Sequence, residues 1–314
     1  MISPGSPTLL MGSCFSEHLG DRLRKSLFHV DINPFGILYH PIVIAENLDR
    51  LIKRELITEE ELIRNGELYH TWSHHGRFSG LDKMQVLEHM NHRVTRAHDV
   101  LQSEQLSLLI TFGSALAHKR GEDVVANCHK YPPSDFKQEL IPLAEMVEKW
   151  NETLELLSTL NPKANLIFTV SPVRYLKDGL MRNTRSKALL VELCHVLTER
   201  FPVHAQYFPA FEIVTDELRD YRFFENDMTH PNALAIEYVW ERFMATCFDS
   251  RSVEMYGQWE PLRRAALHRS LHPGSTEDLT FKEKTLQSVN EFAVRYTKQQ
   301  NEYLNELKQT LHGS

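Results

Sequence analysis

Three apolar runs of strand length, and the residues that stop them, constrain the fold of this chain most. Residues 8–11 halt at Gly12, 106–112 at Gly113 and 165–171 at Pro172. None alternates apolar with polar, so each predicts a strand buried on both faces. A fourth strand is expected over 203–208. Amphipathic stretches separate the runs. Leu87, Met90, Val94, Ala97 and Leu101 recur three and four apart, as do Leu140, Leu143, Val147, Trp150, Leu154 and Leu157, the spacing of one buried helix face. Helices are further predicted over 15–27, 42–53, 185–200, 210–219 and 231–248, with Pro231 in a first turn and a short helix from Thr58, where Glu61 stands at capping-box spacing. The helix through Leu140–Leu157 spans about 136–160. Residues 31–37 and 70–80, rich in Asn, Pro, Gly, Ser and His, read as loops.

Strands alternating with helices in this way make a parallel sheet covered on both faces. The expected fold is an α/β, three-layer α/β/α sandwich with a mostly parallel sheet, helical insertions and a helical C-terminal tail. Residues 1–250 form the main domain. Residues 251–314 form a helical extension packed on or beside it, whose charged helix over about 280–311 suits an oligomer contact.

Charge and composition narrow the function. At 314 residues and a net charge of −7, the chain lacks the basic surface that nucleic acid requires. No apolar run reaches bilayer length, and no charged start followed by an apolar stretch marks a secretory leader. The four cysteines (Cys14, Cys128, Cys194, Cys247) show no paired spacing, which predicts neither disulfides nor a zinc site and points to a reducing cytoplasmic setting. The seventeen histidines are scattered. His74, His75, His129 and Asp227 lack the spacing of a metal set, so neither metal nor cofactor is expected.

Two stretches carry the chemistry. At Gly12-Ser13-Cys14 a strand turns sharply into a helix, where unpaired N–H groups and the helix dipole favour negative charge. Ser13 fits a helix cap, and Cys14 either fills space or attacks as a thiolate. Far along the chain, Asp227 and His230 stand three apart before a proline, so that a carboxylate can orient an imidazole.

A nucleophile at the first turn and Asp-x-x-His-Pro at the last resembles the order in SGNH (GDSL-type) hydrolases. The stretch Gly12-Ser13-Cys14-Phe15-Ser16 is similar to the signature of the GSCFA family. So are Asn33-Pro34-Phe35-Gly36-Ile37, Trp72-Ser73-His74-His75, Asn127-Cys128-His129-Lys130, Ser171-Pro172-Val173-Arg174 and the run from Tyr207 to Pro231. That resemblance covers about residues 9–245. It implies an SGNH-like fold more firmly than a reaction.

Carried over residue by residue, it places Cys14 where SGNH enzymes have serine and Ser13 where they have aspartate; a one-residue slip would make Ser13 the nucleophile. Its oxyanion donors would be the Cys14 N–H, Gly36 and an asparagine. The Gly-x-Asn that should supply the asparagine reads Gly113-Ser114-Ala115 here, which leaves Asn127, with His129 beside it. Arg174 could meet an anionic group of the substrate. A thiolate at Cys14 would be favoured by the helix start and by an imidazolium. The expected activity is hydrolysis of small or glycan-linked acyl esters. Acyl transfer through a Cys14 thioester is one alternative, and a binding protein that keeps the pocket without the chemistry is another.

Overall fold

The computed structural model describes residues 1–296 and 302–312; positions 297–301 of the tail and the last two residues lie outside the described residues. In chain order the elements are β1 (Thr8–Gly12), α1 (Cys14–Lys25), β2 (Val30–Ile32), α2 (Pro41–Lys53), β3 (Ile63–Asn65), β4 (Leu68–His70) and α3 (Lys83–Leu101). They continue with β5 (Ser107–Phe112), β6 (Leu116–Arg120), β7 (Asp123–Val125), β8 (Lys137–Leu140), α4 (Leu143–Leu160), β9 (Asn165–Val170), α5 (Leu180–Arg200), β10 (Ala205–Phe208) and α6 (Ala210–Glu212). The chain closes with α7 (Ala233–Cys247), α8 (Ser250–Ala266), α9 (Thr276–Tyr296) and α10 (Glu302–His312).

Five strands form a wholly parallel sheet in the order β10-β9-β5-β1-β2. Alternate side chains of the buried strands sort the core into two layers. Leu9, Met11, Leu108, Ile110, Phe112, Leu166 and Phe168 pack with the apolar faces of α2 to α5. Leu10, Leu109, Ile167 and Phe208 face α1, α7 and the C-terminal helices. The architecture is therefore α/β/α. No helix among the described residues is long and apolar enough to cross a membrane.

From β1 the chain moves to one side of the sheet, to β2; from β5 it moves to the other, to β9 and β10. The carboxyl ends of β1 and β5 thus flank a topological switch point, where open α/β sheets leave a crevice.

The irregular parts depart from the sequence reading. Residues 30–32, placed at the edge of a loop, form β2, because the β1 edge supplies their backbone partners. Residues 63–70 make a hairpin. Residues 137–140 are not the start of a helix but β8, which pairs with β6 beside β7 in a small antiparallel sheet. Pro142 delays the helix to Leu143. The helix expected over 210–219 is one turn of α6 widened into a π-helical turn over Ile213–Leu218. Pro231 precedes α7, whose cap is Asn232, accepting from the Ala235 N–H.

The C-terminal helices join the α1 layer. Trp259 on α8 is fully buried and its Nε1 donates to the Lys25 carbonyl at 2.7 Å. Arg22 reaches Glu237 on α7 and Tyr256 on α8. The first residues are fastened to the α7–α8 junction: Ile2 N–H donates to the Cys247 carbonyl, Asp249 N–H to the Ile2 carbonyl, and Ser3 Oγ to Asp249 Oδ2 at 2.6 Å.

Candidate active site

The turn from β1 to α1 is fixed by backbone contacts that admit no side chain at Gly12. Its φ is +139°, and a Cβ there would lie 2.2 Å from the Thr111 carbonyl oxygen of the neighbouring strand. Ser13 N–H donates to that same carbonyl at 3.3 Å. Ser13 is completely buried, and its Oγ caps α1 by accepting from Phe15 N–H at 3.2 Å. Ser16, one turn into the helix, donates to Thr111 Oγ1. Ser13 therefore occupies a structural position, while Cys14, the first residue of α1, is half-buried.

Residues 33–38 wrap this turn from one side. Asn33 Oδ1 accepts from Gly12 N–H at 2.9 Å, and Leu38 N–H donates to the Gly12 carbonyl. Gly36 has φ +82° and lies against His75, whose Cβ would be 2.4 Å from a Cβ at Gly36. The Gly36 N–H already donates to the Asn33 carbonyl at 2.8 Å, so this turn holds the donor that the resemblance assigns to an oxyanion. Arg77 binds the Asn33 carbonyl and forms an ion pair with Glu17. Loop 70–80 thereby joins the wall of the Cys14 turn.

Asn127 and His129 sit behind that loop. Asn127 Oδ1 accepts from His129 N–H at 2.8 Å, a local turn. His129 Nε2 bonds the Thr71 carbonyl at 2.8 Å, and its ring stacks on His70 with centroids 4.1 Å apart. Burial holds His129 down at about 4, so it is neutral near pH 7. Its ring is thus already occupied by backbone. His74 is completely buried with Nδ1 among the Thr71 and Ser73 hydroxyls. Among the described residues no three His, Cys, Asp or Glu side chains converge as a metal set.

Beside the segment that follows β9, Asp227 and His230 form the expected pair. Asp227 Oδ2 meets His230 Nδ1 at 2.5 Å, while its Oδ1 accepts from the N–H groups of Thr229 and His230. These bonds hold the Asp227 carboxyl well below its usual range. The pair is exposed. Arg174 pins it to the sheet: its backbone N–H donates to the Thr229 carbonyl, and its guanidinium lies 4.2 Å from the centre of the Phe224 ring. Arg174 thus stacks on aromatics beside Tyr221. No hydrogen bond among the described residues joins His230 to Cys14 or Ser13; the pair and the thiol share the carboxyl edge of the sheet without touching.

The thiol's own environment differs from the sequence expectation. Burial pushes the Cys14 pKa up and outweighs the N–H groups at the helix start; Glu17 raises it further, and Lys187 opposes both. Tyr39 lies close enough to feel the same thiol and is itself pushed up to about 12, chiefly by burial. Tyr39 also walls a cavity of about 40 Å³, lined with His40, Ser114, His118 and Tyr175.

Sequence reasoning missed Tyr39, Asn33 and Lys187. Lys187 was the most detectable, because a lysine three residues before Leu190 interrupts the apolar stripe Leu190, Leu193, Leu197.

The GSCFA family model matches residues 7–243. No curated protein matches the chain significantly. Among solved structures, a Streptococcus pneumonia protein provisionally described as a platelet activating factor shares 11% identity with a TM-score of 0.39, over 78% of this chain and 84% of that one. A likeness of that size carries no argument about chemistry. The family match spans well over half of the chain and contains both the Gly12 turn and the Asp227–His230 turn. The chain belongs to the GSCFA family.

Proposed function

We propose that the protein hydrolyses short acyl esters in the manner of an SGNH hydrolase, with Cys14 as the nucleophile. Cys14 Sγ attacks the ester carbonyl, and His230 Nε2 takes the thiol proton and returns it to the leaving alcohol. Asp227 fixes the ring through Nδ1 and stabilises its charged form. Water then cleaves the thioester; an alcohol in its place would give acyl transfer.

The observation that carries this reading is the Asp227–His230 pair at 2.5 Å, which directs Nε2 away from the carboxylate at the edge where β1 delivers Cys14. Three further points support it. Ser13 is buried and engaged as a cap, which favours the neighbouring thiol over the hydroxyl. The Cys14 N–H stands at a helix start and can meet an oxyanion. The cavity beyond Tyr39, about 40 Å³, has room for about two or three waters, and so suits an acetyl-sized group.

One observation favours a second reading, a binding protein without catalysis: no hydrogen bond joins thiol and imidazole. Catalytic bonds are often loose before substrate binds. A panel of p-nitrophenyl esters from acetate to octanoate, with acetylated sugars, decides between them on wild type, Cys14→Ala, Ser13→Ala and His230→Ala. The hydrolase reading expects turnover that falls with chain length and is lost in C14A and H230A. Absence of turnover across the panel, with tight retention of an ester ligand, would establish the binding protein.

A further inference from the structure

Lys187 has no part in the reaction as written, yet it is the least expected charge in the molecule. It projects from the apolar face of α5, beside Leu190, Cys194 and Leu197, and is 2% exposed. Its Nζ donates to the carbonyls of Gly113 at 2.9 Å and Ser171 at 2.7 Å, the residues that follow β5 and β9. No carboxylate pairs with it among the described residues. The Phe211 ring, 5.7 Å away, is its further neighbour. A buried ammonium without a counter-ion is costly, and a negative charge formed nearby would offset that cost.

The sheet register shows where. Gly12 is level with Thr111, two residues before Gly113, so the end of β5 that Lys187 holds adjoins the β1 turn that carries Cys14. The Gly113-Ser114-Ala115 loop lacks the asparagine amide that the SGNH resemblance expects. Here α5 holds that loop instead, with Lys187 on the Gly113 carbonyl and Ser186 Oγ accepting from Ala115 N–H at 2.7 Å.

We propose that Lys187 is the counter-charge of the Cys14 thiolate, a positioning residue that acts through the sulfur. This rests on the reading of Cys14 as nucleophile. The thiol proton leaves to His230, and Lys187 in its protonated form lies opposite the new anion, each charge favouring the other. Three titratable groups lie within electrostatic reach of Cys14: Glu17 on its own helix, Tyr39 from the loop before α2, and Lys187 from α5. Only Lys187 among them favours the thiolate. Burial lowers Lys187 to about 7, and Cys14 acts in the opposite sense and raises it.

The test is the pH profile of Cys14 alkylation by iodoacetamide, assigned by mass spectrometry, in the full chain. Lys187→Met is expected to move the inflection up by about one pH unit and to slow alkylation at pH 7 about tenfold, with Lys187→Arg restoring part of the rate. An unchanged inflection in folded K187M overturns the proposal. Should K187M fail to fold, Cys14→Ser decides: with lysines labelled at 13Cε, the NMR titration of Lys187 is expected at lower pH than in wild type, and identical titrations overturn the pairing. A shifted inflection without ester turnover would leave the charge pairing standing and refute the hydrolase.

Discussion

Gly12 and Thr111 lie backbone to backbone: a Cβ on Gly12 would stand 2.2 Å from the Thr111 carbonyl oxygen. That approach sets the height at which Cys14 leaves the sheet. Gly12→Ala must either part β1 from β5 or flatten the turn. It is expected to cost about 3 kcal/mol or more, measurable by urea unfolding.

Arg174 braces the turn that carries His230. Its guanidinium rests on Phe224, and its backbone grips the Thr229 carbonyl. Arg174→Ala is expected to lower kcat on the best ester about tenfold, near 1.4 kcal/mol of barrier, with little change in the unfolding midpoint. Lys at this position keeps the charge without the planar stack, so Arg174→Lys should not rescue. Full activity in R174A would show that the loop needs no such anchor.

His40 and His74 are both buried and both held down to about 3 by desolvation. Unfolded, each titrates near 6.5. Their folded pKa values are depressed, so the unfolded chain binds the extra protons. Their contribution to stability is complete above about pH 6.5 and fades as the pH falls towards 3. Each ring should remove about 1 kcal/mol per pH unit across that window. Urea midpoints taken from pH 7 to pH 4 should fall steadily, and His74→Phe should flatten the slope.

Trp259 ties the C-terminal helices to α1 through its buried ring and its bond to Lys25. Trp259→Ala is expected to cost about 3–5 kcal/mol and to lower the thermal midpoint of the whole chain in one transition. Separate melting of the helical extension would instead show that residues 251–314 fold apart from the sheet.

The regular parts of this fold were legible because they satisfy one local rule each. The runs ending at Gly12, Gly113 and Pro172 are apolar without alternation, and the strands there are buried on both faces. Their order in the sheet was not written in any single run. Residues 30–32 and 137–140 form strands because β1 and β6 offer them backbone partners, and such pairing is invisible in a window of sequence. The same division holds for the site. Cys14, Asp227 and His230 stood out by spacing, and the structure sets all three at one sheet edge. Gly36 and His129 came only from the family resemblance, and their polar groups are bonded to the Asn33 and Thr71 carbonyls. Lys187 was passed over because a lysine in a long helix ordinarily faces water, although its place in line with Leu190, Leu193 and Leu197 set it on the face that the structure buries.

The bond between Ser3 and Asp249 spans 246 residues. On a ribosome adding about 5–20 residues per second, the first strand would wait roughly 10–50 s before its flank can be fastened. Cys14 emerges long before His230 is made. Under the proposed reaction the nascent chain would carry an unarmed thiol until His230 is added, after the last strand of the sheet has been made.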